Sequence, residues 1–503
     1  MARKSGLHIN TQSNSPIFRQ ISEQIADRIR SGVYPEGYQL PPSRRLAEEV
    51  GTHRNTIVRA YEDLAAAQWV TSGVGRGTFV SRRGKSPAAP STPLPQGGLP
   101  WTTLLSRVGA AESLGRVDRL PRSLHNDLIN LTRMQPSADL LPADELRRCV
   151  DHVLRVHGPR ALGYAPREGL PQLRELIAQD LARSGVPADP EHIIVTTGSQ
   201  QALDAVARCL VNPGDAVAVE AETYTGAINI MTAAGARLVS VPGDDEGPDM
   251  SALERVSEAK CLYLMPNSRN PTGNSISEAR RRALVAWSRR ANVALIEDDY
   301  GADLELDEIT APPALRALDA DVIYVSTFSK RLIPALRVGF VVCPPELGRY
   351  LLNLKHMLDL GTSALLQHAL AEFLDRGYLQ THLSRSLPEY RRRRDALEEA
   401  LSRWMPAEVR WSHVKRGVVQ WLRLPPQLRA DEVFAEAQRA GVLVSPGALH
   451  SVSGGAQSGL RLTFCFEPRE RLVEGVKRLA TVIRESLARG PSSRPSNANY
   501  FEA

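Results

Sequence analysis

The sequence predicts two domains of different class: a winged helix-turn-helix at the N-terminus and a large α/β domain built on a mainly parallel sheet. Three observations carry that prediction. The chain has 503 residues, enough for more than one core, with 42% hydrophobic and 23% charged residues, an ordinary globular balance. Its net charge of +6 is confined to residues 1–85, which hold 13 Lys and Arg against 7 Asp and Glu, while the rest of the chain balances at 49 of each. From about residue 125 onward, helical stretches alternate with short apolar runs, the pattern of a parallel sheet with crossover helices.

The same composition excludes several classes. No apolar run approaches the length of a membrane span, and Met1-Ala2-Arg3-Lys4-Ser5-Gly6 leads into polar sequence rather than a signal-peptide core, so the expected location is the cytoplasm, with no membrane partner. Cys149, Cys209, Cys261, Cys343 and Cys465 are scattered without a C-x-x-C pair, which points away from a disulfide framework or a zinc site; no metal is expected. A basic segment on a neutral body is the charge distribution of a polyanion-binding module.

That module is predicted over residues 12–81. Ile17, Ile21, Ile25 and Ile29 recur every fourth position and lay an apolar stripe along one helix ending near Gly32. Pro41-Pro42-Ser43 stops the chain and supplies Ser43 as N-cap for a short helix from Arg44 to Val50, closed by Gly51. Thr52-His53-Arg54-Asn55-Thr56 opens a third helix with Ile57, Tyr61 and Leu64 facing inward. Two short helices across a tight turn make a helix-turn-helix. The second helix of such a pair reaches base edges with its N-terminal residues, which places Arg54, Asn55 and Thr56 for readout of double-stranded DNA. Arg44 and Arg45 flank them as backbone contacts. Thr78-Phe79-Val80 and Trp69-Val70-Thr71 bracket Gly73-Val74-Gly75-Arg76-Gly77, a glycine-rich wing with Arg76 at its tip. Over residues 16–80 this resembles the GntR-type winged helix; the departure is His53, where that family usually has a capping serine.

Residues 82–124 form the predicted linker. The part up to Pro100 is rich in Pro, Ser, Ala and Gly, and residues 101–124 regain apolar character, expected as a helix lying on the next domain. Residues 490–503 are expected to be a disordered tail.

The large domain, residues 125–489, is organised around the stretch from Val322 to Gly339. A β-branched run delivers Lys330 amid Thr327 and Ser329, with Arg337 seven positions on. Burial favours the neutral amine, the form that condenses with a carbonyl, and hydroxyls with a guanidinium suit a phosphate. These are the parts of a Schiff-base site for pyridoxal 5'-phosphate (PLP). Other apolar runs end in residues suited to the same cofactor, at strand ends where an α/β fold binds ligands. The run at 193–198 leads into a helix starting at Ser199, whose N-terminal N–H groups suit the phosphate. Cys261-Leu262-Tyr263-Leu264-Met265-Pro266 runs into a tight loop bearing Asn270, placed for the ring's phenolic oxygen. Val293-Ala294-Leu295-Ile296 leads into Glu297-Asp298-Asp299-Tyr300, a carboxylate source for the pyridinium nitrogen.

The order Gly-Ser-Gln, Asn-Pro-Thr-Gly, Asp-x-Tyr, Ser-Lys, then Arg resembles the fold-type I aminotransferases over roughly residues 125–485. That resemblance implies Lys330 as the Schiff-base lysine, Asp298 at the ring nitrogen, Asn270 and Tyr300 at the ring oxygen, and Tyr224 stacked on the ring. It implies phosphate contacts from Ser199, Gln200, Thr327, Ser329 and Arg337. Tyr164 matches a tyrosine that reaches the neighbouring subunit's phosphate, and Arg461 an arginine that holds a substrate α-carboxylate. The whole chain is similar to the MocR/GabR family of regulators, which implies a homodimer on two DNA half-sites, with an amino compound or PLP itself as effector. The alternative is a working aminotransferase with an appended winged helix, because Asn270 keeps the enzyme-like form of its motif.

Overall fold

The isoleucines spaced by four form α1 (Ile17–Arg30), in which Ile21 and Ile25 are buried while Ile17, at the end of the stripe, is exposed. This is a computed structural model describing residues 6–10, 15–73, 77–81, 99–106, 108–110, 127–256, 258–308, 311–452 and 459–489. It divides into two units, Met1–Leu104 and Leu105–Ala503.

In the first unit α2 (Ser43–Val50) starts one residue earlier than the sequence predicts. Ser43 is its first helical residue, not its cap; Pro42 occupies the N-cap at φ −55° and ψ 140°, with no side-chain capping bond. Proline's fixed φ already has the geometry the entry needs, so the serine is drawn into the first turn. Gly51 closes the helix in the left-handed conformation, as its lack of Cβ allows. Next comes α3 (Arg54–Ala66), with His53 at its N-cap and no side-chain bond there. Ile57, Tyr61 and Leu64 are buried against Ile21, Ile25 and Leu46 in one small core. The wing is the antiparallel pair β1 (Val70–Gly73) and β2 (Gly77–Val80). Its predicted tip residue, Arg76, lies outside the described residues. Of the helix expected over 101–124, the described residues form only α4 (Trp101–Leu104); residues 111–126 lie outside the description.

The second unit begins with β3 (Ile129–Asn130), then α5 (Ala143–His157) and α6 (Pro171–Arg183). Its main sheet contains β4 (Ile193–Thr196), β5 (Ala216–Glu220) and β6 (Arg237–Val241). A small hairpin, β7 (Gly243–Asp244) with β8 (Gly247–Pro248), separates these from β9 (Cys261–Leu264), β10 (Ala294–Asp299), β11 (Ile323–Thr327) and β12 (Gly339–Val342). In space the order is β4-β12-β11-β10-β9-β5-β6, and only β12 runs antiparallel to its neighbours. Successive residues of β5 serve different cores: Val217 and Val219 join one cluster, Ala216 and Ala218 another. Burial on both faces is why these strands read as unbroken apolar runs. Helices α7 (Ser199–Leu210) and α8 (Thr225–Ala233) follow β4 and β5.

The C-terminal part is an antiparallel sheet of β13 (Arg410–Trp411), β14 (Val419–Arg423), β16 (Ser445–Pro446) and β17 (Gly459–Thr463), in the order β13-β14-β17-β16. Strand β15 (Val442–Leu443) pairs in parallel with β3, which ties the start of the unit to its end. The long helices Tyr378–Trp404 and Arg469–Arg489 supply Leu397, Leu401, Leu472 and Leu479 to the core beneath that sheet. No helix among the described residues is long and apolar enough to cross a membrane.

Candidate functional site

Every large-domain residue singled out from the sequence, except Tyr164, lines one cavity of about 530 Å³. Strand β10 runs to Asp299, further than the apolar run alone predicts, so the acidic residues are strand residues rather than the turn after it. Register sets Asp298 beside Val325 of β11, and Lys330 follows three residues after that strand ends. The carboxyl of Asp298 is buried; one oxygen accepts from the Tyr263 hydroxyl at 2.7 Å and the other has no partner. Burial pushes its pKa up to about 7, against the lowering effect of the Tyr263 bond. Burial also lowers the pKa of the Lys330 amine, whose Nζ donates to the Met134 carbonyl at 2.6 Å.

One end of the cavity is made by the turn into α7 and the hairpin after β11. Arg337 adopts a left-handed φ of +49° and donates from Nη2 to the Thr197 carbonyl at 3.3 Å. A Cβ on Gly198 (φ +85°) would come within 2.8 Å of that nitrogen, and one on Gly339 within 2.6 Å of the Gly198 carbonyl carbon. Only glycines let backbone and guanidinium close this cradle. The Thr327 hydroxyl donates to the Ser329 oxygen at 3.0 Å and accepts from the Ser329 N–H at 3.2 Å. Ser199 opens α7, a 12-residue helix whose N-terminal N–H groups suit an anion. The Gln200 side chain is engaged elsewhere: its carbonyl accepts from the Tyr224 hydroxyl at 3.1 Å, which fixes that ring.

At the other side Arg461, on β17, is buried, and burial lowers its pKa to about 10. Its Nη1 donates to Asn270 Oδ1 at 3.1 Å and its Nη2 to the Thr132 carbonyl at 3.1 Å, while Nε has no partner. The Tyr300 hydroxyl lies 3.1 Å from Ser268 Oγ, and burial raises its pKa. Tyr164 stands apart, 87% exposed.

Sequence reasoning missed Thr132, Met134, Tyr263, Ser268, Ser445 and His450. Thr132, Met134, Ser445 and His450 line the cavity; Tyr263 and Ser268 hold Asp298 and Tyr300 from behind. Burial holds His450 neutral, its ring nitrogens 3.2 Å from Thr225 Oγ1 and 3.0 Å from Ser445 Oγ. Only Tyr263 carried a usable signal, a polar hydroxyl inside an otherwise apolar strand.

A buried carboxylate oxygen without a partner, an amine held toward its neutral form and a glycine-walled cradle beside a guanidinium fit the nitrogen, aldehyde and phosphate of PLP. When bound, that cofactor supplies an electrophilic aldehyde and an electron sink. In the first unit Arg44, Arg45, Arg54 and Asn55 are exposed on α2 and the start of α3, Thr56 half-buried behind them, and Arg54 Nε reaches Ser43 Oγ at 3.5 Å.

Residues 18–80 match the bacterial regulatory proteins of the gntR family, and residues 126–479 match aminotransferase class I and II. The probable rhizopine catabolism regulatory protein MocR of Rhizobium meliloti is 30% identical over 505 residues, covering 98% of this chain and 99% of that protein. The chain belongs to the MocR-type regulators. The large domain of this MocR-type protein is also similar to enzymes. The 2-aminoadipate transaminase of Thermus thermophilus is 34% identical over 395 residues, 75% of this chain and 98% of that one. The crystal structure of LysN, the α-aminoadipate aminotransferase of the same organism complexed with N-(5'-phosphopyridoxyl)-L-leucine, superposes with a TM-score of 0.69 at 34% identity, over 78% of this chain and all of that one. This MocR-type chain is a PLP-linked, DNA-binding transcription regulator.

Proposed function

We propose that the regulator senses an amino compound at its cofactor cavity and passes that occupancy to DNA bound by the winged helix. The observation that carries this reading is Arg461. A buried guanidinium with an unpartnered Nε shares a cavity with a lysine held toward its neutral form, so the carboxylate and the amine of one small molecule find anchors there. Lys330 would hold PLP as a Schiff base, with Asp298 at the ring nitrogen, Asn270 and Tyr300 at the ring oxygen and Tyr224 over the ring. The α7 N-terminus, including the backbone N–H of Gln200, with Ser199, Thr327, Ser329 and Arg337, would hold the phosphate. Arg54, Asn55 and Thr56 read bases, while Arg44, Arg45 and Arg76 hold the backbone.

The active form is a homodimer on two half-sites. Support comes from Tyr164, Leu162 and Met357, which are 87%, 66% and 79% exposed, a degree of apolar exposure that a second copy relieves. The proposed domain bounds are 12–81, 82–124, 125–489 and 490–503. A second reading, residual transamination, is favoured by one observation: Asn270, Asp298, Tyr300 and Lys330 all line the cavity. PLP itself is the effector if no amine acts.

Reconstituted protein should absorb near ~420 nm and form a borohydride-trappable adduct, both lost in Lys330→Ala. Titration with common amino acids, γ-aminobutyrate and β-alanine should shift that band. A wild-type protein without the band contradicts the assignment of Lys330.

A further inference from the structure

Met134 occupies a position that no motif announced. It is half-buried between the core under the C-terminal sheet and the core on one face of the main sheet. Its carbonyl oxygen accepts from Lys330 Nζ at 2.6 Å, and its sulfur lies 3.5 Å from both Asn270 Nδ2 and Arg461 Nη1. One residue thus holds both the amine and the guanidinium that would anchor the two ends of an effector.

The acceptors around Arg461 are all neutral: the Met134 thioether, Asn270 Oδ1 and the Thr132 carbonyl. A thioether is a weak acceptor, and Nε has none at all. A carboxylate replaces such contacts with a charge-assisted, two-pronged pair. The backbone leading into Met134 is fixed. Thr463 N donates to the Leu131 carbonyl at 2.8 Å, Thr463 Oγ1 to the Arg133 carbonyl at 2.9 Å, and Asn130 N to Glu467 at 2.8 Å. The long, unbranched side chain is therefore the part free to swing.

We propose that Met134 is a specificity-determining residue of the effector site: a resident occupant of Arg461 and Asn270 that an amine bearing a carboxylate displaces and a plain amine does not. The inference rests on the reading that Arg461 takes the effector's carboxylate.

The test uses holo protein carrying methyl-13C methionine, which has seven methyl signals for its seven methionines; Met134→Leu assigns the one in question. The probes are L-alanine, β-alanine and γ-aminobutyrate, with ethylamine as the carboxylate-free control, each added until the visible spectrum stops changing. The Met134 methyl should shift with a responding carboxylate and hold its position with ethylamine. Met134→Ala should tighten the responding carboxylate by about 5-fold or more, since a competing occupant is gone, and leave the ethylamine affinity within about 2-fold. A methyl that stays put while the spectrum responds, or moves equally for both probes, overturns the proposal. If no carboxylate-bearing probe changes the spectrum, the reading of Arg461 fails and takes this inference with it.

Discussion

One oxygen of Asp298 is held by Tyr263 and the other is buried without a partner, so this carboxyl is poorly placed to be charged until a cation arrives. Its pKa rises from an ordinary 3.8 to about 7, chiefly by burial. Between those values the folded chain keeps a proton that the unfolded chain has lost, so this group's contribution to stability falls as pH rises through that window and stays low above it. In cofactor-free protein Asp298→Asn should therefore stabilise the fold by on the order of 1–3 kcal/mol at pH 8, with the gain shrinking toward pH 4. Thermal melts of both proteins across that range check it; a gain independent of pH contradicts the burial argument. If Asp298 pairs with the ring nitrogen as proposed, the same substitution should destabilise the PLP-bound protein, because that nitrogen then loses its anionic partner. Lys330, Asp298 and Arg461 were legible in the sequence because each is a charged residue in or just after an apolar run. Met134 was not: a methionine in a stretch without period carries no signal, and its role depends on β3, β9 and β17 converging.

The first turn of α7 is how an element rather than a residue would make the proposed phosphate site. Its N–H groups are aimed by the chain reversal at Gly198 and braced from behind. Asp359 accepts from Gln201 Nε2 at 2.9 Å and Thr197 Oγ1 at 3.3 Å, and is itself paired with the buried Lys355 at 3.0 Å. Gly198→Ala forces a side chain into a left-handed position and against Arg337 at 2.8 Å. It should weaken PLP by about 10-fold or more while the DNA affinity of the cofactor-free protein is unchanged. Retained cofactor affinity would mean that the cradle is looser than its geometry. At this scale the sequence told element types better than their ends. Helix α1 followed from its isoleucines, but Ser43 was misread as a cap because Pro42 takes that position, and β10 ran past its apolar residues into acids that tertiary burial holds in the strand. The Asp359 brace pairs residues 158 apart in sequence from Gln201, a contact that no local pattern encodes.

For the whole molecule, one unit carries exposed arginines at the start of a recognition helix and the other encloses a cavity lined by Lys330, Arg337 and Arg461. Joining them is useful only if ligand affinity differs between DNA-competent and incompetent forms, since a ligand that binds both equally shifts nothing. The architecture was legible from sequence because its parts differ in charge and in period; the coupling was not, because it is a difference between two states of one sequence. The measurement that tests the central claim most directly is the affinity of PLP-loaded protein for its operator, with and without a responding carboxylate-bearing amine, in wild type and Arg461→Ala. The account predicts a change of about 5-fold or more in wild type, within the usual range of allosteric coupling, and none in the variant. Equal operator affinity with and without ligand in wild type, alongside steady turnover of amino and keto acids at about 1 s⁻¹ or more, would contradict it and make the large domain a working aminotransferase.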